Sequence, residues 1–284
     1  MGSVAIVTDS TAYLPPELVE KHNITVVPLY VRFGEEVFKD GVDMTTQQFY
    51  NRLPTSPIFP ATSQPSPADF IEAYRRRIEE GATEILSIHL SSKLSGTISS
   101  VLLAKEEIQD VPIHVVDSFS ISVGLGHMVL VAARALEASR PVEEIVKELE
   151  SLRDTIRILF VVDTLEYLHK GGRIGGAQVF LGSLLNLKPL LGVKEGRVEA
   201  IERVRTKRRA VRRMLDLFHE EFGDKPVHCA VIHASVPAEA NLLAQKIQQR
   251  FNCSEALVSE LSPVVGTHAG PGTVGMMMCP AGED

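Results

Sequence analysis

The side chains best suited to ligand chemistry in this chain are hydroxyls, one histidine and a few arginines, gathered in glycine-rich stretches. Thr62 and Ser63 lie in Ala61-Thr62-Ser63-Gln64-Pro65-Ser66-Pro67. They stand just outside a helix predicted to begin at Pro67, with Ser66 as N-cap and Asp69 in the first turn. Ser95 and Gly96 lie in Leu90-Ser91-Ser92-Lys93-Leu94-Ser95-Gly96-Thr97-Ile98, directly after a strand-like run and before a helical one. A loop at the carboxyl end of a parallel strand, opening onto a helix N-terminus, is where open α/β sheets take ligands, and its orphan amides suit an anion. Simple capping by Ser92 or Ser95 accounts for the same serines, and spacing alone leaves the two readings level.

His268 sits in Gly266-Thr267-His268-Ala269-Gly270-Pro271-Gly272-Thr273-Val274-Gly275. A histidine among glycines has little packing to explain it and suits hydrogen bonding to a carboxylate; an ordinary loop histidine is the alternative. The literal GxGxxG at Gly270, Gly272 and Gly275 is interrupted by Pro271 and has no room for a βαβ unit after it, so dinucleotide binding is rejected. Arg173, in the polar, glycine-rich turn from Leu165 to Gly175, suits planar bidentate contact with a phosphate or an acidic partner, or a structural salt bridge. Farther on, Ala210, Val211, Met214, Leu215 and Phe218 mark the buried face of a helix. That leaves Arg208, Arg209, Arg212 and Arg213 to solvent or to a docking partner.

The elements that must hold these residues follow from the hydrophobic pattern. Val4–Thr8, Thr25–Phe33, Ile85–His89 and Ile113–Val116 read as strands alternating with helices at Pro67–Glu80 and Ser95–Ile108, which predicts a mainly parallel open sheet. The apolar run 119–138 is broken by Gly124, Gly126, His127 and Arg134 and is expected as a buried helix. Residues 1–150 are assigned to an N-terminal α/β domain and 151–284 to a C-terminal one. A helix at Val142–Leu152 lies at the boundary, and in the second domain strands at Ile156–Val162, His228–His233, Ala256–Leu261 and Thr273–Met278, a hairpin at Lys194-Glu195-Gly196-Arg197, and helices at Lys207–Glu221 and Ala238–Arg250 predict a mixed sheet.

Composition narrows the function classes. With 284 residues, 44% of them hydrophobic, the chain buries a sizeable core, and a formal net charge of −7 argues against a surface built for nucleic acid or anionic lipid. Cys229, Cys253 and Cys279 make no disulfide framework or CxxC motif, and reduced core thiols fit a cytoplasmic protein. No phosphate loop, HExxH, GxSxG elbow or EF-hand spacing occurs, and the histidines do not group at metal-ligand spacing.

Val7-Thr8-Asp9-Ser10-Thr11, Thr62-Ser63-Gln64-Pro65, Ser91 to Thr97, Gly171-Gly172-Arg173 and Thr267 to Gly272 occur in the order of the DegV family, which the chain resembles from about residue 4 to 280. The resemblance implies two α/β domains with a lipid between them and a single DegV domain overall. It implies a protein that binds a long-chain, palmitate-like fatty acid and presents its carboxylate to a separate fatty acid kinase, in lipid transport or fatty acid metabolism. It is then a binding subunit and not an enzyme, with no cofactor or metal and no stable membrane insertion. By motif, Thr62, Ser63, Ser95, Gly96 and His268 hold the ligand and Arg173 engages the kinase. Phe180, Leu184 and Leu187, in the apolar stretch Ile174–Leu191, are guesses for the lipid wall. The rival is a serine hydrolase acting on lipid-like substrates, with Ser95 as nucleophile, His268 as base and Asp9 as orienter.

Overall fold

The computed structural model describes residues 3–182, 188–253 and 256–281. In chain order the elements begin β1 (Ser3–Asp9), α1 (Pro16–Lys21), β2 (Thr25–Val27), β3 (Tyr30–Phe33), β4 (Glu36–Lys39), α2 (Thr46–Arg52) and β5 (Ala61–Ser63). They continue with α3 (Pro67–Glu79), β6 (Ala82–His89), α4 (Thr97–Glu107), β7 (Ile113–Asp117), α5 (Val123–Glu137), α6 (Val142–Leu152), β8 (Arg157–Val161) and α7 (Glu166–Lys170). The last are β9 (Lys188–Lys194), β10 (Arg197–Val204), α8 (Lys207–Phe222), β11 (Val227–His233), α9 (Pro237–Arg250), β12 (Ala256–Glu260), α10 (Pro263–Ala269) and β13 (Val274–Pro280). Two compact units result: the chain up to Thr45 with Ile58–Asp154, and Thr46–Pro57 with the chain from Thr155 onward.

The first unit is built on a four-stranded sheet in the order β2-β1-β6-β7, every neighbouring pair parallel. Ala5, Val7, Ile85 and Ile113 of this sheet pack with Phe70 and Tyr74 of α3 and Val101 and Ala104 of α4. Apolar strands of this kind need cover on both faces, and α5 supplies it through contacts with β1 and β6. Leu125, Met128, Val129 and Ala132 are buried along α5, so the apolar run of the sequence is a core helix. No helix among the described residues is long and apolar enough to cross a membrane.

The run Thr25–Phe33, expected as one strand, divides at Pro28 into β2 and β3, because a proline brings no N–H to a ladder. Its second half leaves the parallel sheet and joins a separate antiparallel sheet in the order β4-β3-β5, which the alternating pattern did not announce. There Thr62 lies opposite Val31 and Ser63 opposite Tyr30. The helix after β5 starts as its sequence requires. Ser66 Oγ accepts from the Asp69 N–H at 3.3 Å while an Asp69 carboxylate oxygen accepts from the Ser66 N–H at 2.7 Å, a reciprocal capping box with Pro67 behind the cap.

The second unit carries a mixed six-stranded sheet in the order β10-β9-β8-β13-β11-β12, with only β11 and β12 parallel. Its core joins Ala210, Met214 and Phe218 of α8, Leu243 and Ile247 of α9, and Val231, Met276 and Met278 of the sheet. The hairpin falls where expected, Lys194 pairing with Arg197 around Glu195 and Gly196, which take φ of 50° and 76°. Two stretches read as glycine-rich loops contain short helices instead, α7 and α10. For α10 the boundary signals are present, Ser262 before Pro263 at the start and Gly270 after Ala269 at the end.

Candidate functional site

In the first unit β1, β6 and β7 end side by side at Asp9, His89 and Asp117, and the loops that follow share their hydrogen bonds. Ser91 organises the middle loop. Its carbonyl accepts from Leu94 N at 2.9 Å and Ser95 N at 3.1 Å, its hydroxyl accepts from Lys93 N at 3.1 Å, and its own N–H donates to Ser120 O at 2.9 Å. Ser92 N–H points to the Asp117 carboxylate at 3.2 Å. The loop is thereby held rigid before α4, and Ser95 sits half-buried at its end, between the carboxyl end of a parallel strand and a helix N-terminus.

Neither Ser92 nor Ser95 is the N-cap of α4. That position belongs to Gly96, which offers no side chain, while Ser95 Oγ accepts from Thr97 N at 3.3 Å and lies 2.9 Å from Thr97 Oγ1. The Gln64 side chain packs directly on Gly96, where an added Cβ would come within 2.7 Å of Gln64 Nε2. Contact between Gln64 and Gly96 brings the end of β5, with half-buried Thr62 and Ser63, against the Ser95 loop. Thr62 and Ser63 point to opposite faces of β5, and the Gln64 contact sets the end of that strand beside Ser95 and the N-terminus of α4. A hydroxyl at a helix N-terminus, as Ser95 is placed, can donate to an anionic oxygen without burying a cation.

Beside that loop lies a chain of buried polar groups that sequence reading missed. Asp9 Oδ1 accepts from the N–H and hydroxyl of Thr11 at 3.1 and 2.6 Å; Oδ2 meets His89 Nδ1 at 3.0 Å and accepts from Leu90 N at 3.0 Å. His89 Nε2 lies 2.7 Å from Ser87 Oγ, which in turn is 2.7 Å from Tyr74 OH. Asp9, His89, Ser87 and Tyr74 are all fully buried, and burial pushes the Tyr74 phenol above its usual range. The order carboxylate, imidazole, hydroxyl is that of a nucleophilic triad, but a sealed serine shared with a tyrosine is a structural link. Both Asp9 oxygens are committed here, so Asp9 orients His89 and not His268. The hydrolase reading loses the orienter it named. The signal was legible: Ser87 and His89 are two apart on a strand, hence on one face.

In the second unit His268 falls in the last turn of α10 and is half-buried. Gly171 lies against it so closely that a Cβ there would stand 2.1 Å from His268 Nδ1. Burial, with the nearby Arg173 charge, lowers the imidazole from 6.5 to about 3, so His268 is neutral at physiological pH and offers one donor and one acceptor, not a positive charge. Arg173 follows Gly172, whose φ is 67°, and its guanidinium folds back to donate to Gly171 O at 2.9 Å. Gly270 and Gly272, at φ 75° and 81°, close over the Tyr167 ring and the Asp163 carboxylate, where any side chain would collide. Those glycines serve packing, in keeping with the rejection of a dinucleotide site.

The remaining candidates separate. Phe180 is buried with the Arg203 guanidinium 5.0 Å above its ring, whereas Leu184 and Leu187 lie outside the described residues. Arg208, Arg209 and Arg212 are exposed, but Arg213, expected among them, is half-buried between Glu202 at 2.8 Å and Glu220 at 2.7 Å because β10 runs beside its face of α8. No disulfide joins Cys229, Cys253 and Cys279, and a hydrogen bond with Cys253 together with burial raises the Cys229 thiol. Among the described residues no group of His, Cys, Asp and Glu is placed to hold a metal ion.

A parallel four-stranded sheet and a mixed six-stranded sheet, each with helices, define an α/β protein. Residues 3–281 match the family model described as "Uncharacterised protein, DegV family", and the chain belongs to the DegV family. A DegV domain-containing protein of Streptomyces coelicolor is 42% identical over 280 residues, 97% of this chain and 98% of the relative. Protein DegV of Bacillus subtilis is 35% identical over 280 residues, 98% and 99% of the two chains. Among solved structures, a DegV family protein from Thermus thermophilus described by its fatty acid binding superposes with a TM-score of 0.94 at 41% identity, covering 99% of this chain and 100% of that one. DegV of Bacillus subtilis, described as a fatty acid binding protein, gives 0.91 at 34% identity, with 99% and 100% covered.

Proposed function

We propose that this protein binds a long-chain fatty acid and presents its carboxylate to a separate kinase, the head group being held by Thr62, Ser63 and Ser95 with the Gly96 amide. The observation that supports the proposal is the packing of the Gln64 side chain, which follows Thr62 and Ser63 in the chain, on Gly96 beside Ser95. Neutral donors at a helix N-terminus suit a carboxylate that must later leave as an acyl phosphate, since no buried cation has to be desolvated or abandoned. Acyl-chain burial at about 0.8 kcal/mol per methylene gives on the order of 10 kcal/mol for a dozen methylenes before association costs, so the head-group contacts need only orient. The fatty acid binding described for the Thermus and Bacillus structures supports the ligand class. His268 is assigned to the ligand by its motif, and Arg173 to the kinase.

Titration with a fluorescent long-chain fatty acid tests the head-group assignment. Ser95→Ala and Thr62→Ala each remove a charge-assisted hydrogen bond, with an expected loss of about 1.5–3 kcal/mol, roughly ten- to a hundredfold in affinity. Unchanged binding in both variants, with phosphate transfer intact, would show that the carboxylate is held elsewhere. Arg173→Ala is expected to keep the lipid and slow phosphate transfer by the cognate kinase; equal loss of lipid would move Arg173 into the binding site.

A further inference from the structure

Between α8 and α9 in the second unit runs an open groove of about 680 Å³, lined by Thr206, Arg208, Arg209, Arg212, Leu215, Lys246, Gln249 and Arg250. In a chain of formal net charge −7, this is a dense local concentration of positive charge. Its cations are not spent on the fold. Arg250 pairs with Asp216 at 2.8 Å, but Arg208, Arg209, Arg212 and Lys246 are exposed and make no ion pair among the described residues. The neighbouring Lys207 and Arg213 show the contrast, since each is tied to acidic side chains of this chain, Lys207 to Glu239 and Arg213 to Glu202 and Glu220.

We infer that this groove docks an acidic segment of a protein partner, whose carboxylates face the α8 arginines and Lys246. Charge complementarity carries the argument, and three further features fix the occupant. No aromatic residue lines the groove and Leu215 is its one apolar side chain, so a nucleotide finds phosphate partners but nothing to receive its base. The cations line two walls of a concavity instead of projecting from a broad apolar face, which disfavours a bilayer. Leu242, 52% exposed, stands one turn before Lys246 on the same face of α9 and offers an apolar anchor beside the charges, as a peptide segment uses and a free anion does not. Guanidinium groups favour planar carboxylates, which makes the three arginines apt readers of aspartate and glutamate.

The test uses the full chain with a fluorescein-labelled helical peptide bearing glutamates on one face and leucine at helical spacing, beside a control with glutamine for every glutamate. Binding is measured by anisotropy at low and high salt for the wild type and for Arg208→Glu/Arg212→Glu/Lys246→Glu, three exposed positions whose reversal leaves the core intact. The expected result is salt-sensitive binding of the acidic peptide only, weakened roughly tenfold or more in the variant, with circular dichroism and copurified lipid unchanged. Equal binding by wild type and variant overturns the proposal. So does tight, charge-dependent binding of tripolyphosphate without the peptide, or of phosphatidylglycerol vesicles without the peptide, since either names a different occupant. Fatty-acid retention is read on the same samples, so failure of this docking surface is distinguishable from failure of the lipid assignment.

Discussion

His268 shows how far a single side chain's chemistry depends on what touches it. Read among glycines it looked like a free polar group; folded, it closes the last turn of α10 against Gly171 with the Arg173 charge nearby. Its ordinary value near 6.5 falls to about 3, chiefly through burial. The unfolded chain therefore takes up a proton as pH falls below 6.5 while the folded chain does not, so this group's contribution to stability is fully present above 6.5 and is lost progressively toward 3. A proton NMR titration of the lipid-free protein is expected to show the His268 ring neutral down to pH 5, with a midpoint displaced upward when a carboxylate ligand meets it. A midpoint near 6.5 in the lipid-free protein contradicts this environment.

The parallel strands, the capping box at Ser66 and the hairpin at Glu195-Gly196 were legible because each rests on a local rule. Apolar runs, a hydroxyl before Pro67, and a two-residue turn between alternating strands are all visible in the chain. The separate β4-β3-β5 sheet was not, since its strands are three or four residues long and pair across an intervening helix. The Asp9 network is likewise a tertiary product: the strand faces were readable, but the meeting of β1 and β6 that sets His89 on Asp9 was not. Asp9→Ala leaves His89 Nδ1 and the amides of Thr11 and Leu90 buried without their acceptor. Urea denaturation is expected to show a loss of at least about 3 kcal/mol. A loss under about 1 kcal/mol contradicts the view that this link holds the ligand loops in place.

The chain as a protein was identified by motif order more than by periodicity. Composition excluded broad classes, and spacing found the Ser95 loop, but only the joint order of the hydroxyl, GGR and THAGPG segments pointed to the family that the comparisons then showed. Thr62, Ser63 and Ser95 were legible as candidates because each precedes a helix start, although the first two lie in the strand β5; Gln64, whose side chain packs on Gly96, carried no signal of its own. Native mass spectrometry of the full chain purified from bacterial cells tests the account most directly. The expected spectrum shows a single non-covalently bound long-chain fatty acid per chain, its share greatly reduced in the combined Thr62→Ala/Ser95→Ala variant. Contradiction comes from an empty wild-type protein that turns over an ester substrate, or from lipid retained in full by the variant.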